Sequence, residues 1–179
     1  MSTELPTVTR VLRSQARVTI VAATYNERFT SALLQNCIDE LTEKENIVID
    51  VVRVPGAFEV PVMVKRAICK AAQDSEPDVV IALGVIIRGS TAHADLIGSA
   101  VCNQLQSIAC ETMTPVINEV LLLNDEQQAF ARCVASALNR GREAARAAIN
   151  VLSTLEEKHS LHSSINRNAK IDRNASLFR

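Results

Sequence analysis

Residues 79–87, Val-Val-Ile-Ala-Leu-Gly-Val-Ile-Ile, carry neither a charge nor a polar side chain. A run of this kind, rich in β-branched residues and far shorter than a membrane span, is what a strand buried on both faces requires. Strands buried on both faces belong to parallel sheets covered by helices. Three further runs, 18–23, 47–54 and 115–123, have strand character, and helical spacing follows them. Phe29, Leu33, Cys37 and Leu41 form one stripe; Val60, Val64, Ala67 and Ala71 a second; Ala94, Ile97, Val101, Leu105 and Ile108 a third. This alternation predicts an α/β domain with a four-stranded parallel sheet and right-handed crossovers.

Local signals set the boundaries. Pro61 falls in a first helical turn, where its missing N–H costs nothing. Ser75-Glu76-Pro77-Asp78 is a turn before the third strand, and Asn124-Asp125 caps the helix after the fourth. Asn139-Arg140-Gly141 interrupts the last helical region, and a weaker stripe of Ala144, Ala148 and Leu152 is expected to end near Glu157. Three segments follow: a loose arm over 1–15, a folded domain over 16–157, and a polar tail over 158–179. The tail is Ser/Asn/Arg-rich with little apolar periodicity, so it is expected to be mobile or draped over a neighbour.

At 179 residues the chain is long enough for one full domain and too short for two of typical size. Its 22% charged residues and net charge of -1 give no basic footprint, so nucleic acid is disfavoured as a partner. No apolar run approaches the roughly 18 residues of a membrane span, and Met1-Ser2-Thr3-Glu4-Leu5-Pro6 lacks the basic-then-apolar order of a secretory signal. A cytoplasmic location without membrane contact is therefore expected. Cys37, Cys69, Cys102, Cys110 and Cys133 have no metal-ligand spacing and read as small buried hydrophobes. His159 and His162 fall in the polar tail and read as a solvated pair, so no metal is expected.

Open parallel sheets bind ligands outside the carboxyl ends of their strands. Thr24-Tyr25-Asn26 follows the first strand, the segment from Pro55 to Glu59 the second, and the turn from Arg88 to His93 the third. In that last turn the amides of Gly89, Ser90 and Thr91 would lack intrahelical acceptors, and the helix dipole would favour an anion there. His93 would lie in the first turn of the helix, with an imidazole suited to proton transfer near neutral pH. Each feature also has an ordinary reading. Gly-Ser-Thr is a common N-cap sequence, and a lone first-turn histidine is more often solvated than catalytic. Convergence of the motifs argues for a pocket.

Taken together, Val54-Pro55-Gly56-Ala57-Phe58-Glu59-Val60-Pro61 and Gly84-Val85-Ile86-Ile87-Arg88-Gly89-Ser90-Thr91-Ala92-His93 resemble the paired motifs of the lumazine synthase family. The resemblance runs over about 18–152. It implies a flavodoxin-like three-layer sandwich with a central four-stranded parallel sheet, acting as a homo-oligomer built on pentamers. The implied reaction is condensation of 5-amino-6-ribitylaminouracil with 3,4-dihydroxy-2-butanone 4-phosphate to 6,7-dimethyl-8-ribityllumazine, the penultimate step of riboflavin biosynthesis, without a cofactor. Carried over position by position, Tyr25 is the stacking aromatic, Ala57, Phe58 and Glu59 bind the ribityl chain and ring, and Ile86 and Ile87 line the ring site. Ser90 and Thr91 bind phosphate, His93 moves protons, and Arg132, donated by the adjacent subunit, completes the phosphate site. Arg88 takes a structural or peripheral electrostatic role.

The chain departs from the family pattern at several positions. Tyr25 stands where Phe or Trp is commoner, and Ala94 where a bulky aromatic usually follows the histidine. Asn118 replaces the phenylalanine by which a neighbour covers the ring, and Glu119 replaces a glycine. These departures leave an alternative open: a catalytically weakened paralogue serving as an oligomeric lumazine- or flavin-binding protein. A generic phosphate-binding module would explain the turn before His93 but not the segment from Val54 to Pro61. No insertion is evident around Asn139-Arg140-Gly141, so pentamer, decamer and sixty-subunit shell all stay open.

Overall fold

The computed structural model describes residues 6–8, 12, 14–71 and 75–175, with side chains as far as Glu157. Strands β1 (Ala16–Ala23), β2 (Ile47–Val54), β3 (Val79–Ile87) and β4 (Val116–Leu123) form one parallel sheet in the order β2-β1-β3-β4. Helices α1 (Glu27–Thr42), α2 (Val60–Cys69), α3 (His93–Thr112), α4 (Glu126–Cys133) and α5 (Arg140–Ala175) cover it, and a short 3-10 turn, Ala57–Glu59, leads into α2. The expected α/β architecture is therefore the observed one. No helix among the described residues is long and apolar enough to cross a membrane.

Strand alternation divides the core into two layers. Val18, Ile20, Ala22, Val79, Ile81 and Leu83 face α1, α4 and α5, meeting Leu33, Cys37, Leu41, Ala129 and Ile149. Val21, Ala23, Val80 and Ala82 face α2 and α3, meeting Val60, Val64, Val101, Leu105 and Ile108. The central strands β1 and β3 are thus buried on both sides, as their unbroken apolar runs require.

The expectation of five buried cysteines needs correction. Only Cys37 and Cys133 are buried; Cys69, Cys102 and Cys110 are exposed, because they lie on faces of α2 and α3 that the chain itself leaves uncovered. Helix α5 continues to Ala175, beyond the end of its apolar stripe. Residues 158–175 contain no Gly or Pro, so nothing in the backbone chemistry stops the helix once its apolar stripe has run out. His159 and His162 fall on this extension, outside the residues whose side chains are described. Part of the arm is anchored rather than loose: Leu12 is buried in the core and its carbonyl accepts from Asn46 Nδ2 at 2.9 Å.

The joint between α4 and α5 is built by Asn139, fully buried. Its Nδ2 donates to the carbonyls of Cys133 and Ala135 at 2.9 and 3.1 Å, and its Oδ1 accepts from the N–H of Gly141 at 3.0 Å. One side chain thereby satisfies carbonyls leaving one helix and an amide entering the next. Leu138 turns the chain there with φ 55. Gly141 then lets α5 approach α1 closely, since a Cβ at this position would lie 2.2 Å from the Leu33 carbonyl oxygen and 3.1 Å from the Cys37 nitrogen. Both of those atoms are backbone, so neither can rotate away. Gly141→Ala is expected to cost about 3 kcal/mol, the upper end for overpacking. Chemical denaturation checks it, with Gly89→Ala as the control, because a Cβ at Gly89 meets nothing within 4 Å.

Candidate functional site

Three strand-end loops meet at the carboxyl edge of the sheet, and backbone-directed hydrogen bonds hold them together. Thr24 N–H donates to the Val54 carbonyl at 2.8 Å and Tyr25 N–H to the Pro55 carbonyl at 2.9 Å, so the loop after β1 is fixed to the loop after β2. Asn26 adopts a left-handed conformation, φ 57, that a short amide side chain tolerates. From that position its Nδ2 donates to the Val85 carbonyl at 2.8 Å, which ties the same loop to β3.

Within this cluster Tyr25 is 69% and Phe58 61% exposed, an unusual position for two of the chain's five aromatic residues. Gly56 lies beneath the tyrosine: a Cβ there would fall 3.1 Å from Tyr25 Cδ2 and 3.0 Å from Glu59 Oε2. Glu59 Oε2 accepts from Gly56 N–H at 2.9 Å, so one carboxylate oxygen caps the 3-10 turn. Ala57 is buried, and Ile86 and Ile87 are half-buried at the end of β3. Ser90, Thr91 and His93 are exposed on the turn, and α3 begins at His93, as the sequence predicts. Thr91 Oγ1 lies 3.5 Å from the His93 nitrogen, leaning over the helix start.

Asn118 and Arg132 are not brought into this cluster. Asn118 pairs in register with Ala82, while the loop after β3 begins beyond the pairing of Ile87 with Leu123, so roughly 16 Å of strand separates them. The Asn118 side chain is exposed, and its Oδ1 accepts from Val120 N–H at 3.0 Å. Arg132 is half-buried in the last turn of α4, a helix that starts at the carboxyl edge and carries it roughly 9 Å along the axis.

Glu119 points to the opposite face from Asn118, because neighbouring strand residues alternate. It lies towards α5, where Arg140 and Glu143 pair at 2.5 Å with side chains only 10% and 16% exposed. Burial pushes the Glu119 carboxyl up to about 7, Arg140 opposes the shift and Glu143 adds to it. Burial, reinforced by Glu119, also pushes the Cys37 and Cys133 thiols up to about 12, which leaves them protonated and unreactive.

Sequence reasoning missed the pairing of Arg88 with Asp95, at 2.6 Å. Opposite charges flanking a strand-to-helix turn were the available signal. A cavity of about 630 Å³ also opens between α2 and α3, lined by Phe58, Pro61, Val62, Val101 and Ile108 with Lys65 beside them. It adjoins the loop cluster through Phe58. Among the described residues no group of His, Cys, Asp and Glu could hold a metal ion.

A protein-family model described as 6,7-dimethyl-8-ribityllumazine synthase matches residues 15–156. Proteins of that name are similar to the chain over most of their length. The one from Pectobacterium atrosepticum is 39% identical over 151 residues, covering 82% of this chain and 94% of its own. That from Nitrobacter hamburgensis is 36% identical over 140 residues, covering 78% and 85%, and that from Thermococcus kodakarensis 34% identical over 145 residues, covering 79% and 90%.

The buried carboxyl at Glu119 makes stability depend on pH. The folded chain holds that proton up to about pH 7, whereas an unfolded chain releases it near 4.5. Its contribution is therefore fully present below about pH 4.5 and is lost as pH rises to about 7. Glu119→Gln should remove that fall, so the variant gains on the wild type across this window. Denaturant titrations at both ends of the window measure it.

Proposed function

Because the chain belongs to the 6,7-dimethyl-8-ribityllumazine synthase family, we propose that the loops at the carboxyl edge of its sheet perform that family's condensation. The protein is a transferase of riboflavin biosynthesis, joining 5-amino-6-ribitylaminouracil to 3,4-dihydroxy-2-butanone 4-phosphate to give 6,7-dimethyl-8-ribityllumazine. The observation that carries the assignment of parts is the convergence of the three loops, with the turn from Gly89 to Thr91 leading directly into the start of α3.

Each part then has a chemical task. Tyr25 and Phe58 offer apolar faces to the pyrimidine, and Ile86 and Ile87 line the ring site beside them. Glu59 spends one carboxylate oxygen on its own turn, and its other oxygen is free to accept ribityl hydroxyls alongside the backbone of Ala57. Ser90 and Thr91 supply hydroxyls and amides to the phosphate at the positive end of α3. An amine condensing with a ketone must deliver protons to the departing carbonyl oxygen, and the phosphate leaves as an anion. His93, adjacent to that anion site, moves the proton.

Arg132 and Asn118 enter this reading from a neighbouring copy, Arg132 to complete the phosphate site and Asn118 to face the ring. Support comes from the apolar surface that one chain leaves open: Phe58, Val62, Leu96, Met113 and Phe130 are exposed, and the cavity between α2 and α3 is lined largely by apolar side chains. A second copy would bury it, which supports the reading of a homo-oligomer with shared sites. The family's pentamer is the assembly we propose, acting on small molecules in the cytoplasm without nucleic acid or membrane. Light scattering should give at least five subunits at working concentration; a monomer that forms lumazine would refute the shared site.

Purified protein mixed with both substrates should form lumazine, followed by absorbance. His93→Ala should lower turnover by about 10²–10⁴-fold, as loss of a general acid–base does, with smaller effects on binding. Arg132→Ala should raise KM for the phosphorylated ketone by roughly 10- to 100-fold, since a charge-assisted contact contributes on the order of 1.5–3 kcal/mol. The uracil should be affected much less. Equal losses for both substrates would remove Arg132 from the phosphate site.

A further inference from the structure

Arg88 bonds to several separate elements near the loops. Its N–H donates to the Leu123 carbonyl at 2.9 Å, extending the pairing of β3 with β4. Its Nη2 and Nε donate to Asp95 Oδ1 at 2.6 and 3.1 Å, and its Nη1 donates to Asn124 Oδ1 at 2.5 Å. Asp95 is in the first turn of α3, two residues beyond His93, and Asn124 is in the turn that starts α4. One guanidinium therefore ties the end of β3, the start of α3 and the start of α4 together.

The turn between Arg88 and His93 has little other support. Gly89, Ser90, Thr91 and Ala92 are exposed, and a Cβ at Gly89 would meet no atom within 4 Å. Its position is set mainly from its ends. The clamp also continues into α4: Asn124 N–H donates to Gln128 Oε1 at 3.0 Å, and Gln128 N–H donates to the capping carboxylate of Asp125 at 2.7 Å. Gln128 is one helical turn before Arg132 on the same face.

We propose that Arg88 is a positioning residue, whose clamp on Asp95 and Asn124 holds the phosphate-binding turn of one subunit in register with the helix that donates Arg132 to the next. This inference rests on the phosphate-site reading above. A planar guanidinium can reach both acceptors at once, while an ammonium on a flexible stem would hold one, so charge and clamping are separable by Arg88→Lys. Arg88 and Asp95 are 41% and 51% exposed, and an ion pair so exposed adds little to global stability. Breaking it should move the turn without unfolding the chain.

The experiment compares wild type, Arg88→Lys, Arg88→Ala and Asp95→Asn. Three readouts apply: KM for each substrate, calorimetric binding of inorganic phosphate, and the denaturation midpoint. All three variants should raise KM for the phosphorylated ketone about 10-fold or more and weaken phosphate by a similar factor, as misplacement of a binding group does. KM for the uracil and the midpoint should stay near wild type. A wild-type-like Arg88→Lys beside an impaired Arg88→Ala would make the effect one of charge and overturn the clamp. So would equal losses for both substrates accompanied by a lower midpoint, or no change in any variant. If wild type forms no lumazine yet binds phosphate and the variants weaken it, the clamp stands while the assigned reaction fails. Wild type that neither reacts nor binds phosphate overturns both.

Discussion

The two central strands set the terms for everything else, because β1 and β3 expose apolar side chains on both faces and neither face can be left to water. Val18, Ile20 and Ala22 demand cover on one side, Val21 and Ala23 on the other. Helices must therefore lie on both faces, and each connection must cross the sheet to start the next parallel strand. A geometric consequence follows at once. All strands end at the same edge, so the loops leaving them are gathered there whatever their sequences say. Functional chemistry is then a matter of what those loops carry.

The loops are held by polar side chains, some bonding to backbone atoms and one to other side chains. Asn26 reaching the Val85 carbonyl, Glu59 returning to the Gly56 amide and Arg88 spanning Asp95 and Asn124 are instances of one device. Asn26 and Arg88 each position one segment relative to another, and Glu59 fixes its own turn, without burying them. The surface of the loops stays open while their backbone is constrained. On the side facing α5 the logic is reversed. Glu119, Arg140 and Glu143 place charge at a largely covered joint, where desolvation makes the carboxyl hold its proton. Such a group stabilises nothing by its charge and leaves stability sensitive to pH instead.

The uncovered side of the molecule is equally informative. Cys69, Cys102 and Cys110, together with Val62 and Leu96, lie on α2 and α3 surfaces that this chain does not bury. The sequence carried these residues in a generally apolar context, so reading them as core was natural. Which apolar residues face the sheet depends on the rotation of each helix, fixed by Val60, Val64, Val101, Leu105 and Ile108 packing against β1 and β3. What is left over on the outer side stays exposed in the single chain.

By itself the sequence determined the central strands, since unbroken β-branched runs suit burial on both faces, and the helical faces, since the stripe at Phe29, Leu33, Cys37 and Leu41 marks the side of α1 that packs into the core. It also determined which residues carry the family's motifs, because Pro55 to Glu59 and Arg88 to His93 are local segments. The tertiary structure decided what no local pattern contains. Arg88 finds Asp95 and Asn124 only when three chain segments meet. Gly141 is required only because α5 crosses the Leu33 carbonyl, and Glu119 meets Arg140 and Glu143 only once α5 packs over β4. Periodicity reports which face of an element is buried; pairing between distant residues is created by the fold.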